Sequence, residues 1–258
     1  MEASTIDNLL GVSSLAVAFG GVQALDLSKF HLRDKELRVI IGPNGAGKST
    51  FMDILCGKTS PNKGEVFFNG EPILGKKEVE IANLGIGRKF QKPSIFSSLT
   101  VYDNMLLAAK MKKSIWHSIL YKQNQEVEDK IHYVAKKVGL NDCLDKMAGA
   151  LSHGQKQWLE IAIVVLQDPK LMLIDEPAAG MSDHETEKTG ELLLELAQHH
   201  GVIVIEHDMN FVKQIAKETV SVLVRGKLLM EGSFDQVQND QRVIDSYLGR
   251  SNAQLETI

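Results

Sequence analysis

The stretch GPNGAGKST, Gly42 to Thr50, has the spacing G-x-x-x-x-G-K-[ST], follows the apolar run RVII and opens the helical pattern TFMDILCGK. Glycines at these positions let successive backbone N–H groups turn inward around phosphate oxygens, and the helix N-terminus adds its positive end. Lys48 is placed to reach the β- and γ-phosphates and the Ser49 hydroxyl to ligate Mg²⁺. Gly42, Asn44, Gly45, Ala46, Gly47, Lys48, Ser49 and Thr50 are therefore the candidate phosphate-binding residues.

A phosphate loop of this kind needs an acidic site beside it. LMLIDEP supplies one: a buried apolar strand followed by Asp175 and Glu176, at the C-terminal strand end where α/β sheets gather their chemistry. Asp175 suits a Mg²⁺ contact through water, and Glu176, directed elsewhere by strand alternation, suits orientation and deprotonation of an attacking water. Pro177 ends the strand. The run VIVIEH ends in His207; a strand parallel to the Asp175 strand brings this imidazole near the γ-phosphate, as a sensor or as a partner of Glu176.

LSHGQKQWLEIA raises a different question, because Ser152 and His153 are adjacent. Residues one apart at a helix start point in different directions, and no third residue nearby orients the imidazole, so an activated nucleophile is the weakest reading. Ser152 and Gln155 form an S-x-x-Q capping box, and Trp158, Ile161, Ala162 and Val165 fall at the spacing of one buried helix face. Capping does not require Gly154, which costs helix stability unless a backbone must come close to something. A helix end with a hydroxyl and a bare glycine is also an anion seat.

These residues need a scaffold. Short apolar runs alternate with helical patterns, which predicts an α/β sheet with helices packed on it. LRVIIG, LMLID and VIVIEHD are the clearest buried strands; SLAVAFGGVQALDL and GEVFFNG read as shorter strands, and SVLVRGKLLMEG as a hairpin around Arg225-Gly226. The last three predict an antiparallel layer beside the main sheet. From Pro93 to Gly149 the pattern turns helical, predicting an inserted subdomain over 91–155 within a single domain whose core spans 1–90 and 156–258. Its lysines are interleaved with Glu126, Glu128 and Asp129, which favours a solvated face over a nucleic-acid patch.

With 258 residues, 43% hydrophobic and 24% charged, the chain has the composition of a globular protein with a full core. A net charge of −4 offers no basic field to hold nucleic acid. Cys56 and Cys143 lack disulfide-framework or zinc spacing, which fits a reducing compartment, and Cys56 reads as a small buried apolar residue. His199 and His200, at a helix end before Gly201, carry no chemistry. LLGVSSLAVAFGG follows acidic Glu2 and Asp7 where a secretory signal would be positive, so it reads as a strand. No run reaches the ~20 apolar residues of a membrane span.

The order of the phosphate loop, Gln91 in KFQKP, LSHGQ, LMLIDEP, AGMSD and IEHD resembles the ATP-binding subunit of an ABC transporter over nearly the whole chain. The resemblance implies a P-loop NTPase fold, a mainly parallel sheet flanked by helices with an antiparallel β layer and a helical subdomain. It implies ATP hydrolysis with Mg²⁺, a second ABC ATPase subunit, identical or paralogous, and two multispanning membrane subunits fed by an extracytoplasmic solute-binding protein, at the cytoplasmic face of the inner membrane. Phe19 in VAFGG falls where the family stacks an aromatic on adenine, a buried strand phenylalanine being the alternative. Gln91 matches the residue that reaches Mg²⁺ and the attacking water. Ser152, Gly154 and Gln155 match the signature that binds the γ-phosphate of ATP held by the opposite protomer, and Asp183 the acid that crosses the interface. The chain departs in His153, where Gly is usual, in Glu206, where Thr is usual, and in AGMSD, where Ser-Ala-Leu-Asp is commoner. GIGRKFQKP and LSHGQKQWLEIA resemble the branch serving branched-chain amino acids and urea, and Trp158 resembles the urea type. Urea or short amides are thus the expected solutes, with a branched-chain amino acid importer subunit, or a non-transport ABC ATPase acting on a cytoplasmic complex, as the alternatives.

Overall fold

In a computed structural model of the chain, the structure describes residues 8–89, 95–109 and 125–253. The elements in chain order are β1 (Asn8–Phe19), β2 (Val22–Arg33), β3 (Leu37–Ile41), α1 (Lys48–Leu55), β4 (Lys63–Phe68), β5 (Glu71–Pro72), α2 (Glu78–Leu84) and β6 (Ile86–Lys89). Then come α3 (Val101–Ala108), α4 (Gln125–Lys137), α5 (His153–Leu166), β7 (Leu171–Asp175), α6 (Asp183–Ala197) and β8 (Gly201–Ile205). The chain continues through α7 (Met209–Ile215), β9 (Val220–Val224), β10 (Lys227–Gly232), α8 (Phe234–Gln238) and α9 (Gln241–Ala253).

Two sheets form, in the orders β2-β1-β4-β5 and β10-β9-β3-β8-β7-β6. The first is antiparallel throughout. In the second, β9, β3, β8, β7 and β6 run parallel and β10 returns antiparallel at the edge. SVLVRGKLLMEG does turn at Arg225-Gly226, both in the left-handed region, but its strands extend the main sheet and do not join the antiparallel layer. β9 is short, apolar apart from Ser221 and flanked by β3, which draws it into the buried sheet. β1 follows the run LLGVSSLAVAFGG, and β2 is longer than its motif suggested; each has 12 residues.

Side-chain alternation sorts the central strands between two cores. Val39, Ile41, Met172, Ile174, Val202 and Val204 face the helices α3 to α8, whereas Ile40, Leu171, Leu173, Ile203 and Ile205 face α1 and the antiparallel sheet. Both faces are covered, so these strands are unbroken apolar runs. Each buried Leu, Ile or Val contributes roughly 1.5–3 kcal/mol of transfer free energy.

α5 is the helix on which the first core turns. Trp158, Ile161 and Ala162 are buried as expected, but Val165 is only half-buried, and Leu159, Glu160, Val164 and Leu166 are buried too. The helix is wrapped on several sides because α3, α4 and β6 all pack on it; the Lys89–Glu160 ion pair, 3.5 Å, lies inside that contact. Trp158 Nε1 donates to Thr189 Oγ1 on α6 at 2.9 Å. The boundary expected at 155/156 falls inside this continuous helix. Among the described residues no helix is long and apolar enough to cross a membrane.

Candidate functional site

Register gathers the site at one edge of the main sheet. Ile205 of β8 pairs with Ile40 of β3 and with Asp175 of β7. The loop after β3, the acids after β7 and the histidine after β8 therefore leave the sheet side by side.

The phosphate loop is locked by its glycines. A Cβ on Gly42 would lie 2.0 Å from the Leu223 carbonyl oxygen of β9, and one on Gly47, at φ +98°, 2.6 Å from that of Ala24. No L side chain fits either place. Gly47 caps α1, so the helix N-terminus opens directly on the loop. Lys48 is buried, and its ammonium donates to the carbonyls of Gly42 at 2.5 Å and Pro43 at 3.1 Å. Asn44, Gly45 and Ser49 are exposed, Thr50 half-buried and Ala46 buried.

Asp175 is 4% exposed at the end of β7. Burial pushes its carboxyl above the usual range, opposed first by Arg88, with Glu176 adding to the rise and Lys89 and Lys48 countering it. The Arg88 guanidinium is ion-paired to Asp53 on α1 and lies 3.9 Å from Asp175 Oδ2. Beside it Cys56 is buried, its thiol pushed up by desolvation. Glu176 has left the strand and sits at φ +46°, its N–H donating to the Ile205 carbonyl at 3.0 Å. His207 Nδ1 lies 3.3 Å from Glu176 Oε1, the pairing anticipated from the strand ends.

Ser152, Gly154 and Gln155 lie on the N-terminus of α5. The capping box closes, with Gln155 N donating to Ser152 Oγ at 3.2 Å and Ser152 N to Gln155 Oε1 at 3.0 Å. Ser152 Oγ donates to Glu185 Oε1 on α6 at 3.3 Å, while His153 Nε2 is 3.0 Å from the Ala179 carbonyl and 3.4 Å from Gln157 Nε2. Hydroxyl and imidazole have separate partners, so they form no dyad. Asp183 is exposed in the first turn of α6. Phe19 is 54% exposed at the β1–β2 turn, which removes the buried-strand alternative. Gln91 lies outside the described residues.

Several groups around the site have no local signature. Glu206 is 1% exposed behind His207. The Tyr247 hydroxyl on α9 is buried against the Gly42 backbone, with desolvation raising its pKa and the Gly42 contact opposing the rise. His200 Nδ1 is 2.7 Å from the Pro169 carbonyl, a structural contact. Glu206 offers only the weak signal of a charge ending the apolar run VIVI, whereas Arg88, between Gly87 and Lys89, offers none.

The Ser49 hydroxyl and Asp175 carboxylate are hard oxygen donors suited to Mg²⁺. Among the described residues no group of three His, Cys, Asp or Glu side chains could hold a metal, so an ion here would take part of its shell from phosphate oxygens.

Fold and site together define an ATP-hydrolysing cassette. Residues 25–179 match the family described as ABC transporter, and residues 227–252 the family described as branched-chain amino acid ATP-binding cassette transporter. The high-affinity branched-chain amino acid transport ATP-binding protein LivG of Salmonella typhimurium is 32% identical over 252 residues, 94% of this chain and 98% of its own. BraF of Pseudomonas aeruginosa, which bears the same description, is 32% identical over 253 residues, again 94% and 98%. The ADP conformation of MJ1267, an ATP-binding cassette of an ABC transporter, superimposes with a TM-score of 0.83 at 28% identity, covering 95% of this chain and 100% of that one. The chain belongs to the ABC transporter family, as an ATP-binding, ATP-hydrolysing subunit of the branched-chain amino acid branch. The relatives do not carry the urea expectation; that assignment leaned on Trp158, whose Nε1 donates to Thr189 Oγ1 inside the fold.

Proposed function

We propose that this chain is the motor subunit of a branched-chain amino acid importer, docked on two membrane subunits at the cytoplasmic face of the inner membrane. The solute class follows from the names of the relatives, which favour it over urea. The observation that carries the motor reading is a second anion seat, at the α5 N-terminus, whose polar contacts among the described residues do not include the phosphate loop. The phosphate loop, Asp175, Glu176 and His207 share one sheet edge, whereas the polar contacts of Ser152 and His153 run to α6 and the loop before it. An anion seat without a local phosphate suits an ATP held by a second subunit, with Asp183 at the interface.

In this reading Phe19 stacks on adenine, and the Gly42–Thr50 loop takes the phosphates once Lys48 exchanges the Gly42 and Pro43 carbonyls for phosphate oxygens. Ser49, Asp175 and Gln91 would hold Mg²⁺, which when bound neutralises phosphate charge. Glu176 accepts the proton of the attacking water, and His207, in contact with Glu176 Oε1, holds that carboxylate toward the γ-phosphate. Ser152, Gly154 and Gln155 close on the partner's ATP.

Glu176→Gln should bind ATP, lose roughly 10²–10⁴-fold in hydrolysis and accumulate a closed dimer. Wild-type turnover by this variant would remove Glu176 as the base. For the solute, ATPase of the reconstituted complex is measured with its binding protein loaded with leucine, isoleucine, valine or urea. Stimulation by the aliphatic amino acids is expected; stimulation by urea alone would return the subunit to the amide class.

A further inference from the structure

The Glu206 carboxylate is buried directly behind the site. Oε1 accepts the N–H of Ala178 at 3.3 Å; Oε2 accepts those of His207 at 3.0 Å and Asp208 at 3.5 Å. Ala178 belongs to the loop that carries Glu176, and His207 to the loop after β8. One carboxylate therefore ties together the two segments whose side chains meet at Glu176 Oε1 and His207 Nδ1.

The tie acts where the backbone is under load. Glu176 is held at φ +46°, a conformation that costs a residue with a Cβ free energy and persists only when its surroundings over-determine it. Two contacts from the next strand and its loop supply that: Glu176 N–H to the Ile205 carbonyl, and Ala178 N–H to Glu206. His207 Nδ1 also lies 3.9 Å from Glu206 Oε2, so the imidazole sits between two carboxylates.

We propose that Glu206 is a positioning residue for ATP hydrolysis: its two carboxylate oxygens hold the Glu176 and His207 loops in the register that the water-attack step requires. This rests on the reading of Glu176 and His207 as the groups that face the attacking water. Nucleotide binding belongs to the phosphate loop, which Glu206 does not touch, so the residue governs turnover and not affinity. Burial raises the Glu206 carboxyl above its usual range while the His207, Ala178 and Asp208 amides oppose the rise, and its bridging role needs the ionised form.

The test is kcat and KM for ATP in the full chain, for Glu206→Gln, His207→Ala and the double variant. Glu206→Gln keeps the side chain's shape but turns one acceptor into a donor facing an N–H. It is expected to lower kcat about tenfold, leave KM within about twofold and cost less than about threefold when added to His207→Ala. Wild-type kcat in Glu206→Gln, an equal loss in both backgrounds, or a change confined to KM would each overturn the proposal. Should Glu206→Gln fail to fold, Glu206→Asp, one methylene short but charged, is read by the same criteria. Full turnover by His207→Ala would instead overturn the underlying site reading, and that variant alone reports it.

Discussion

The Ser152 hydroxyl donates to the Glu185 carboxylate across the facing N-termini of α5 and α6, at 3.3 Å. Glu185 also accepts the N–H and hydroxyl of Ser182, at 3.0 and 2.8 Å, closing the capping box of α6. These contacts, the Ser182 backbone first, hold the Glu185 carboxyl below its usual range. The helix end read as an anion seat thus holds an anion of its own chain.

A phosphate arriving from a second subunit must displace or share this carboxylate. Like charges a few ångströms apart at a wet surface repel by roughly 1 kcal/mol. Glu185→Gln, which keeps an acceptor for Ser182, should tighten the ATP-bound dimer about fivefold, read by sedimentation equilibrium in the Glu176→Gln background. Unchanged or weaker dimerisation would show that Glu185 does not compete for the seat.

Gly154 lies against the same carboxylate: a Cβ there would lie 2.4 Å from Glu185 Oε1, so the side chain held by Ser152 and Ser182 would have to move. Alanine for glycine in a helix ordinarily gains about 0.5–1 kcal/mol. Gly154→Ala should show no such gain in chemical denaturation while Glu185 is present, and should recover it in Glu185→Ala. Equal effects in the two backgrounds would separate Gly154 from Glu185.

Arg88 sits between Asp53 and Asp175 with its side chain 7% exposed. Removing one member of a buried charge cluster costs about 3 kcal/mol, so Arg88→Met should lower stability by that order at neutral pH. Arg88 opposes the upward shift of Asp175; without it the carboxyl takes up a proton at higher pH. The stability deficit should therefore shrink on acidification, and the acidic fall of ATPase activity should begin at a higher pH than in the wild type. A pH profile unmoved by the substitution would dissociate Arg88 from Asp175.

Asp240, just before α9, is held down to about 2 by the Arg242 side chain, whose guanidinium donates to both carboxylate oxygens. A depressed carboxyl adds stability above its unfolded pKa and loses it as pH falls toward the folded value. Acidification from the ordinary carboxylate range to about 2 should therefore loosen the start of α9. An NMR titration should place the Asp240 midpoint near 2, and Arg242→Ala, which keeps the backbone amides, should move it up toward the ordinary range.

What could be read from the sequence was local. The phosphate loop is legible because its amides and Lys48 lie within a few residues of one another, and the Ser152–Gln155 cap because both partners share one helical turn. Asp175, Glu176 and His207 were legible as a set because apolar runs ending in polar residues deliver them to the same strand ends. The family resemblance extended this to Phe19 and Asp183. Glu206 carried only the signal of a charge ending an apolar run, and nothing local said what it paired with or what Gly154 had to make room for.

The sequence by itself determined the strand and helix periods, the turn at Arg225-Gly226 and the residue types at the nucleotide loop, since each follows from interactions within a few positions. Tertiary structure decided which sheet received β9 and β10, that Arg88 lies between Asp53 and Asp175, that Glu206 bridges two loops and that Glu185 occupies the α5 terminus. The long-range pairings among them run from 28 positions apart, Ala178 with Glu206, to 181, Val39 with Val220. They form only once burial of the strands has brought distant segments together; for Arg88 and Glu206, inside the fold, low-dielectric surroundings then make an unpartnered charge too costly to leave there.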